Sequence, residues 1–223
     1  MKTLILRAGH GIEHAADILK RGGICIIPTE TVYGLACDAT NTAALARLRH
    51  LKGRQPDKPF SILMSAPPRG IGADIDRLAG VYMPGPLTLV LPRAALEAAI
   101  DTGAAANLVD AVASPMSLDS SATSDSIGMR VPADSIGVRV PSHDTTLSLL
   151  RVCGFPLAAP SANRAGEAPP VTFEDALRRF DGMIECAIDG GDCARGVEST
   201  VLDMTQPTPR MLRRGAITKR AIE

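Results

Sequence analysis

The chain has 223 residues, 45% of them apolar and 22% charged, with 24 Lys and Arg balanced by 24 Asp and Glu. That length suits one α/β domain with a substantial core. Zero net charge, no Trp, two Tyr and four Phe argue against a broad nucleic-acid-binding face, which needs a cationic excess, and against a base-stacking platform, which needs rings.

Met1 to Leu6 runs straight into Arg7, so it lacks the apolar core of a signal peptide, and no stretch approaches the roughly 18 apolar residues of a membrane span. A cytoplasmic protein with no membrane contact is expected. Ile12 to Arg21 places Ile12, Ala15, Ala16 and Leu19 on one helical side, and Gly22-Gly23 supplies the stop. Ile24-Cys25-Ile26-Ile27 is a continuous apolar run, the pattern of a strand buried on both faces. A hydroxyl-rich turn follows, Pro28-Thr29-Glu30-Thr31-Val32-Tyr33-Gly34-Leu35. Asn41 is placed to cap a helix from Thr42 to about Leu51. Lys52, Arg54 and Lys58 then deliver three cations within seven residues, suiting either a phosphate site or a solvated loop.

Phe60 to Met64 reads as a strand, as does Leu87 to Leu91 after Pro84-Gly85-Pro86. Thr145 to Val152 looks helical, and Pro156 to Ala159 is short and apolar. Thr172, three residues before Asp175, opens a helix to about Phe180 in a variant of the capping box. Ala187 to Asp189, Thr200 to Asp203 and Arg210 to Leu212 complete the strands. Strands alternating with helices predict an α/β sheet with helices packed on it. Several connections are too short for a crossover helix, so some strands should be antiparallel.

The segment of about 98–134 breaks this rhythm, being rich in Ala, Ser and Asp, and is expected to be a flexible insertion. Within and beyond it, Asp125-Ser126-Ile127-Gly128-Met129-Arg130-Val131-Pro132-Ala133 is nearly repeated by Asp134-Ser135-Ile136-Gly137-Val138-Arg139-Val140-Pro141-Ser142. A nine-residue echo is too short for a solenoid, and only one copy can occupy the sheet position.

The five cysteines show no C-x-x-C spacing and sit among apolar neighbours, so reduced, mostly buried thiols are expected. His10 and His14 stand four apart on the first helix, where a solvated face is the ordinary reading, and no side-chain metal site is predicted. Neither common nucleotide-binding fingerprint nor a G-x-S-x-G elbow is present. What remains are polar turns at strand ends: Pro28 to Gly34, Lys52 to Lys58, Ala159 to Asn163, Gly196 to Thr200 and Leu212 to Gly215. Each alone has an ordinary structural reading, such as Ser161 and Asn163 bonding their own backbone. Together they can line one ligand crevice, since crevices in open α/β sheets lie at strand ends.

These residues resemble the YrdC/TsaC family of threonylcarbamoyl-AMP synthases. The likeness is carried by Pro28 to Leu35, the Lys52-x-Arg54-x-x-x-Lys58-Pro59 run, Pro84-Gly85-Pro86-Leu87-Thr88, Arg139-Val140-Pro141, Ala159 to Asn163, Ser199-Thr200-Val201 and Leu212-Arg213-x-Gly215-Ala216-Ile217. The matches fall in family order over roughly residues 10 to 217, and a YrdC-like domain over 5–217 is expected. The resemblance implies a single-domain twisted mixed sheet with flanking helices and a positively lined cavity at strand ends. It also implies L-threonylcarbamoyladenylate synthase activity: L-threonine, bicarbonate or CO2, and ATP are condensed to threonylcarbamoyl-AMP and pyrophosphate. A separate transferase complex then passes the threonylcarbamoyl group to tRNA.

By the same resemblance, Lys52 and Arg54 are the catalytic cations that neutralise the triphosphate, with Mg2+ alongside. Arg54, Lys58, Ser161, Asn163 and Arg213 hold ATP. Thr31 and Ser199 contact threonine, and Arg139, chosen over Arg130 by its spacing to Ser161, pairs with the threonine carboxylate through its planar fork. Ala165 and Pro169 stand where the family often has serines, and Arg214 replaces a frequent proline. The resemblance is to the single-domain branch of the family, so the additional C-terminal domain of the longer branch is not expected. Two alternatives stand beside this reading: a carbamoyl-adenylate enzyme of hydrogenase maturation, and a non-catalytic RNA-binding module of the same fold.

Overall fold

The computed structural model describes residues 2–53, 59–99 and 134–222. Arg54, Lys58, Arg130 and all but the ends of the expected insertion at 98–134 lie outside the described residues. Among the described residues ten strands form one mixed sheet: β1 (Leu4–Arg7), β2 (Cys25–Ile27), β3 (Gly34–Asp38), β4 (Ile62–Leu63), β5 (Leu87–Pro92), β6 (Ser135–Arg139), β7 (Leu157–Ala158), β8 (Cys186–Asp189), β9 (Thr200–Asp203) and β10 (Arg210–Arg213). Their spatial order is β1-β8-β2-β3-β7-β4-β6-β5-β9-β10. The pairs β1–β8, β8–β2, β4–β6 and β5–β9 are parallel, and the other five neighbouring pairs are antiparallel.

The helices are α1 (Ile12–Lys20), α2 (Thr42–Lys52), α3 (Ala73–Tyr82), α4 (Arg93–Ala99), α5 (Asp144–Cys153), α6 (Phe173–Phe180) and α7 (Lys219–Ile222). Side chains alternate across a strand, so successive residues of β2 feed opposite faces. Ile24 and Ile26 join a core that includes Leu48 of α2, Leu78 of α3 and Phe180 of α6. Cys25 and Ile27 join a second core with Leu19 of α1 and Leu149 of α5. Helices thus cover both faces, which is why the central strands read as unbroken apolar runs.

Local signals act as expected at the helix starts. The Asn41 side chain accepts from Ala44 N at 3.0 Å, and Thr172 Oγ1 accepts from Asp175 N at 3.2 Å. Strand β6 is the second copy of the tandem echo, paired between β4 and β5 with all five residues buried. Four cysteines are buried, Cys193 is half-buried, and all five thiols are free. His10 and His14 are exposed.

Candidate functional site

A cavity of about 220 Å³ opens where the middle strands end. One wall is the turn after β2, with Thr29, Val32, Tyr33 and Gly34. Ser61 and Leu63 at β4, Thr88 of β5 and Arg139 of β6 form the floor. Ala159, Pro160 and Ser161 after β7, with Glu198, Ser199 and Arg213, complete the lining. The lining therefore combines hydroxyls and two guanidinium groups with a smaller apolar surface.

Arg139 is the last residue of β6 and is 7% exposed. Its Nη2 donates to Glu30 Oε1 at 2.8 Å and to Thr31 Oγ1 at 2.9 Å, and its Nε donates to Gly85 O at 3.1 Å. Glu30 is itself buried, and its second oxygen accepts from Ser142 N at 3.0 Å. The Nε–Nη2 edge of the fork is thus occupied by the protein. Nη1 has no partner among the described residues, and Arg139 lines the cavity. The Pro84-Gly85-Pro86 turn has a physical role here: Gly85 supplies the carbonyl for Nε, and its N–H bonds Val140 O at 2.8 Å.

Arg213, at the end of β10, donates from Nε to Ser199 O at 2.9 Å, from Nη2 to Ser199 Oγ at 2.9 Å and from Nη1 to Glu198 Oε1 at 2.6 Å. Burial pushes this guanidinium below its ordinary value, Glu198 opposes the shift, and the positive charge of Arg139 adds to it. The two cations sense one another across the cavity, so an anion placed between them is favoured twice. Ser199 Oγ also lies 2.8 Å from Thr88 Oγ1, which ties β9 to β5 at the cavity floor. Gly215 explains the Leu212-Arg213-x-Gly215 spacing: a Cβ there would stand 2.4 Å from Glu198 O, so only glycine lets the chain press against the Glu198-Ser199 backbone.

Lys52 is the last residue of α2. It is 4% exposed, and its Nζ donates to Ser161 O at 2.6 Å, Asn163 O at 2.5 Å and Asn163 Oδ1 at 3.2 Å. The ammonium holds the Ser161–Asn163 turn from beneath and does not line the cavity. Asn163 is likewise spent internally, with Oδ1 accepting from Ser161 Oγ at 2.5 Å and Nδ2 donating to Arg164 O and Glu167 O. Ser161 does line the cavity and forms a bridge to Gly34.

Of the predicted site residues, the structure brings Arg139, Ser161, Ser199 and Arg213 to one cavity. Thr31 lies one layer behind, bonded to Arg139, and Lys52 and Asn163 support the turn; Arg54 and Lys58 lie outside the described residues. Sequence reasoning gave no role to Thr29, Thr88, Glu30 or Glu198. Thr29 lines the cavity and Thr31 does not, and the Thr29 hydroxyl closes the turn onto Val32 O at 2.6 Å. Glu30 and Glu198 sit inside the quoted polar turns, and a carboxylate next to a predicted threonine contact, Thr31 or Ser199, was the signal available for both.

Beside Glu30, His143 Nδ1 has no partner among the described residues; burial pushes the imidazole below its ordinary value, against the opposing charges of Glu30 and Asp144. Tyr33 donates to Gly191 O at 2.6 Å and accepts from Gly190 N at 3.1 Å, and burial pushes its phenol up.

This fold, with two guanidinium groups converging on one hydroxyl-lined cavity, defines the class. The Sua5/YciO/YrdC family model, which bears the description "Telomere recombination", matches residues 17–215, and the chain belongs to that family. It is 33% identical over 232 residues to the threonylcarbamoyl-AMP synthase of Pyrococcus abyssi, with 99% of this chain and 60% of that protein covered. It is also 33% identical over 226 residues to the Bacillus subtilis threonylcarbamoyl-AMP synthase, covering 95% of this chain and 55% of that one. The crystal structure of P. abyssi Sua5 complexed with L-threonine superposes with a TM-score of 0.77 at 31% identity, covering 100% of this chain and 60% of that one. The chain thus spans little more than half the length of these relatives, so its likeness is not confined to a short, single-domain branch. Among the described residues no helix is long and apolar enough to cross a membrane.

Proposed function

We propose that this chain is an L-threonylcarbamoyladenylate synthase domain, condensing L-threonine, bicarbonate or CO2, and ATP into threonylcarbamoyl-AMP and pyrophosphate. The observation that carries the reading is the pairing of Arg139 and Arg213 in one cavity, each anchored by a carboxylate and each keeping N–H groups without a partner among the described residues. Such a site takes a small anion with hydroxyl-bonding capacity. Relatives at 33% identity bear the synthase name, and a neighbour of this fold was solved with L-threonine, which agrees with it.

In this reading Arg139 Nη1 takes the threonine carboxylate, and Ser199 with Thr88 meets its polar groups. Ser161 and Arg213 stand toward the nucleotide. Lys52 and Asn163 act by shaping the Ser161 turn, while Arg54 and Lys58 neutralise the triphosphate. The amine, once neutral, attacks CO2 and gives up a proton, or attacks bicarbonate with loss of water; the carbamate oxygen then attacks the α-phosphorus as pyrophosphate leaves. Positioning and charge neutralisation supply most of the rate, and no enzyme nucleophile is required. Among the described residues no cluster of three or more His, Cys, Asp or Glu could hold a metal. Mg2+ fits as an ion carried by the phosphates, with few protein ligands. The domain spans about 5–217, works in the cytoplasm and passes its product to a transferase complex acting on tRNA.

The test is mass spectrometry of the purified protein with ATP, Mg2+, bicarbonate and L-threonine. Threonine-dependent threonylcarbamoyl-AMP and pyrophosphate are expected. Product only when carbamoyl phosphate replaces threonine and bicarbonate would move the assignment to carbamoyl-adenylate chemistry; no product with either, together with salt-sensitive RNA binding, would move it to the RNA-binding reading.

A further inference from the structure

The proposed substrate is a zwitterion, and the role assigned to Glu198 rests on that reading. A zwitterion in a partly buried site needs an anion opposite its ammonium as well as a cation opposite its carboxylate. Two carboxylates stand near the cavity. Glu30 is committed: Oε1 accepts from Arg139 and Oε2 from Ser142 N. Glu198 differs. It lines the cavity with its side chain 36% exposed, and its Oε1 accepts from Arg213 Nη1 at 2.6 Å. No bond to its Oε2 is made among the described residues. Its backbone cannot drift, because its carbonyl accepts from Ala216 N at 3.0 Å and Gly215 packs directly against it.

We infer that Glu198 receives the α-ammonium group of the amino-acid substrate on Oε2, while Arg139 Nη1 holds the carboxylate. Among the described lining residues Glu198 is the one carboxylate. The hydroxyls of Ser61 and Thr88 can accept a hydrogen bond from an ammonium but cannot balance its charge. Glu198 therefore sets a preference for amino acids over hydroxy acids of the same shape.

The experiment is calorimetric titration of L-threonine and of 3-hydroxybutyrate, the same molecule with hydrogen in place of the amine. Both are titrated without nucleotide or Mg2+, so that a cation on Glu198 is not in play. Glu198→Gln keeps an oxygen for Arg213 and removes the charge. The wild type is expected to prefer L-threonine by at least about tenfold. Glu198→Gln should lose roughly ten- to hundredfold in threonine affinity, the range for a hydrogen bond to a charged group, and bind 3-hydroxybutyrate as well as before.

A wild type with no preference between the ligands overturns the assignment, as does a Glu198→Gln variant that keeps the wild-type preference. Should that variant not fold, the wild-type preference decides the matter, with Glu198→Asp expected to retain it. A wild type that binds neither ligand brings down the threonine reading itself, which is a separate result.

Discussion

Removing Glu30 should destabilise the whole fold, because it strands the Arg139 guanidinium in the core. The two side chains are 9% and 7% exposed and meet at 2.8 Å. At that distance an effective dielectric constant of about 20 gives a gross attraction of about 6 kcal/mol. Desolvation of both ions offsets much of it, so the pair as a whole contributes little net stability. Breaking it is another matter: an unpaired buried ion costs about 3–5 kcal/mol, and Ser142 N loses its acceptor as well. Glu30→Ala should therefore lose about 4 kcal/mol, a midpoint shift of roughly 1 M in guanidinium chloride with little change in slope. The double variant Glu30→Ala/Arg139→Met removes both charges and should be more stable than the sum of the single losses predicts, by about 2–3 kcal/mol. Strict additivity, or a Glu30→Ala loss below about 1 kcal/mol, would refute the claim that these groups form one buried unit.

Lys52→Met should cost about 2–4 kcal/mol in the same denaturation assay, since Ser161 O, Asn163 O and Asn163 Oδ1 each lose a donor. Unchanged stability with weakened ATP binding would instead make Lys52 a direct phosphate ligand. Gly215→Ala forces a Cβ to within 2.4 Å of the Glu198 carbonyl and should cost about 1–3 kcal/mol by overpacking, read as a lowered Tm; a Tm equal to wild type would contradict the close approach. His143 titrates below its ordinary value of 6.5 when folded, so the unfolded chain binds the extra proton first as pH falls. Stability should be full above that value and decline on acidification below it, and His143→Gln should flatten the decline. Equal pH profiles for the two proteins would remove His143 from the account.

Helices α1, α2, α5 and α6 were legible because their signals are local: an apolar stripe of helical period, Asn41 and Thr172 at the caps, and glycine at a stop. Strand β3 was hidden because it starts inside the motif turn that draws the eye to Thr29 and Thr31. Strand β1 is short and mostly exposed, and α3 starts at Ala73 behind Gly72, which has no capping side chain, so neither leaves a local mark. Strand order depends on pairings such as β5 with β9, more than a hundred residues apart in the chain, which no window of sequence contains. At the site, residue types were legible and directions were not. The charge run at Lys52 looks the same whether its ammonium faces a ligand or, as here, three acceptors beneath a turn.

The cavity walls come from seven separate stretches of chain, the first at Thr29 and the last at Arg213. At about 5–20 residues per second, a ribosome takes roughly 10–40 s to travel from one to the other. Through the latter part of that interval the nascent polypeptide has Arg139 but not its opposing guanidinium or the Glu198–Ser199 wall. Substrate therefore cannot act as a template for early folding of the amino-terminal half. Its stabilising influence begins only once Arg213 has been made, and then falls on the earlier-made and later-made walls of the cavity alike.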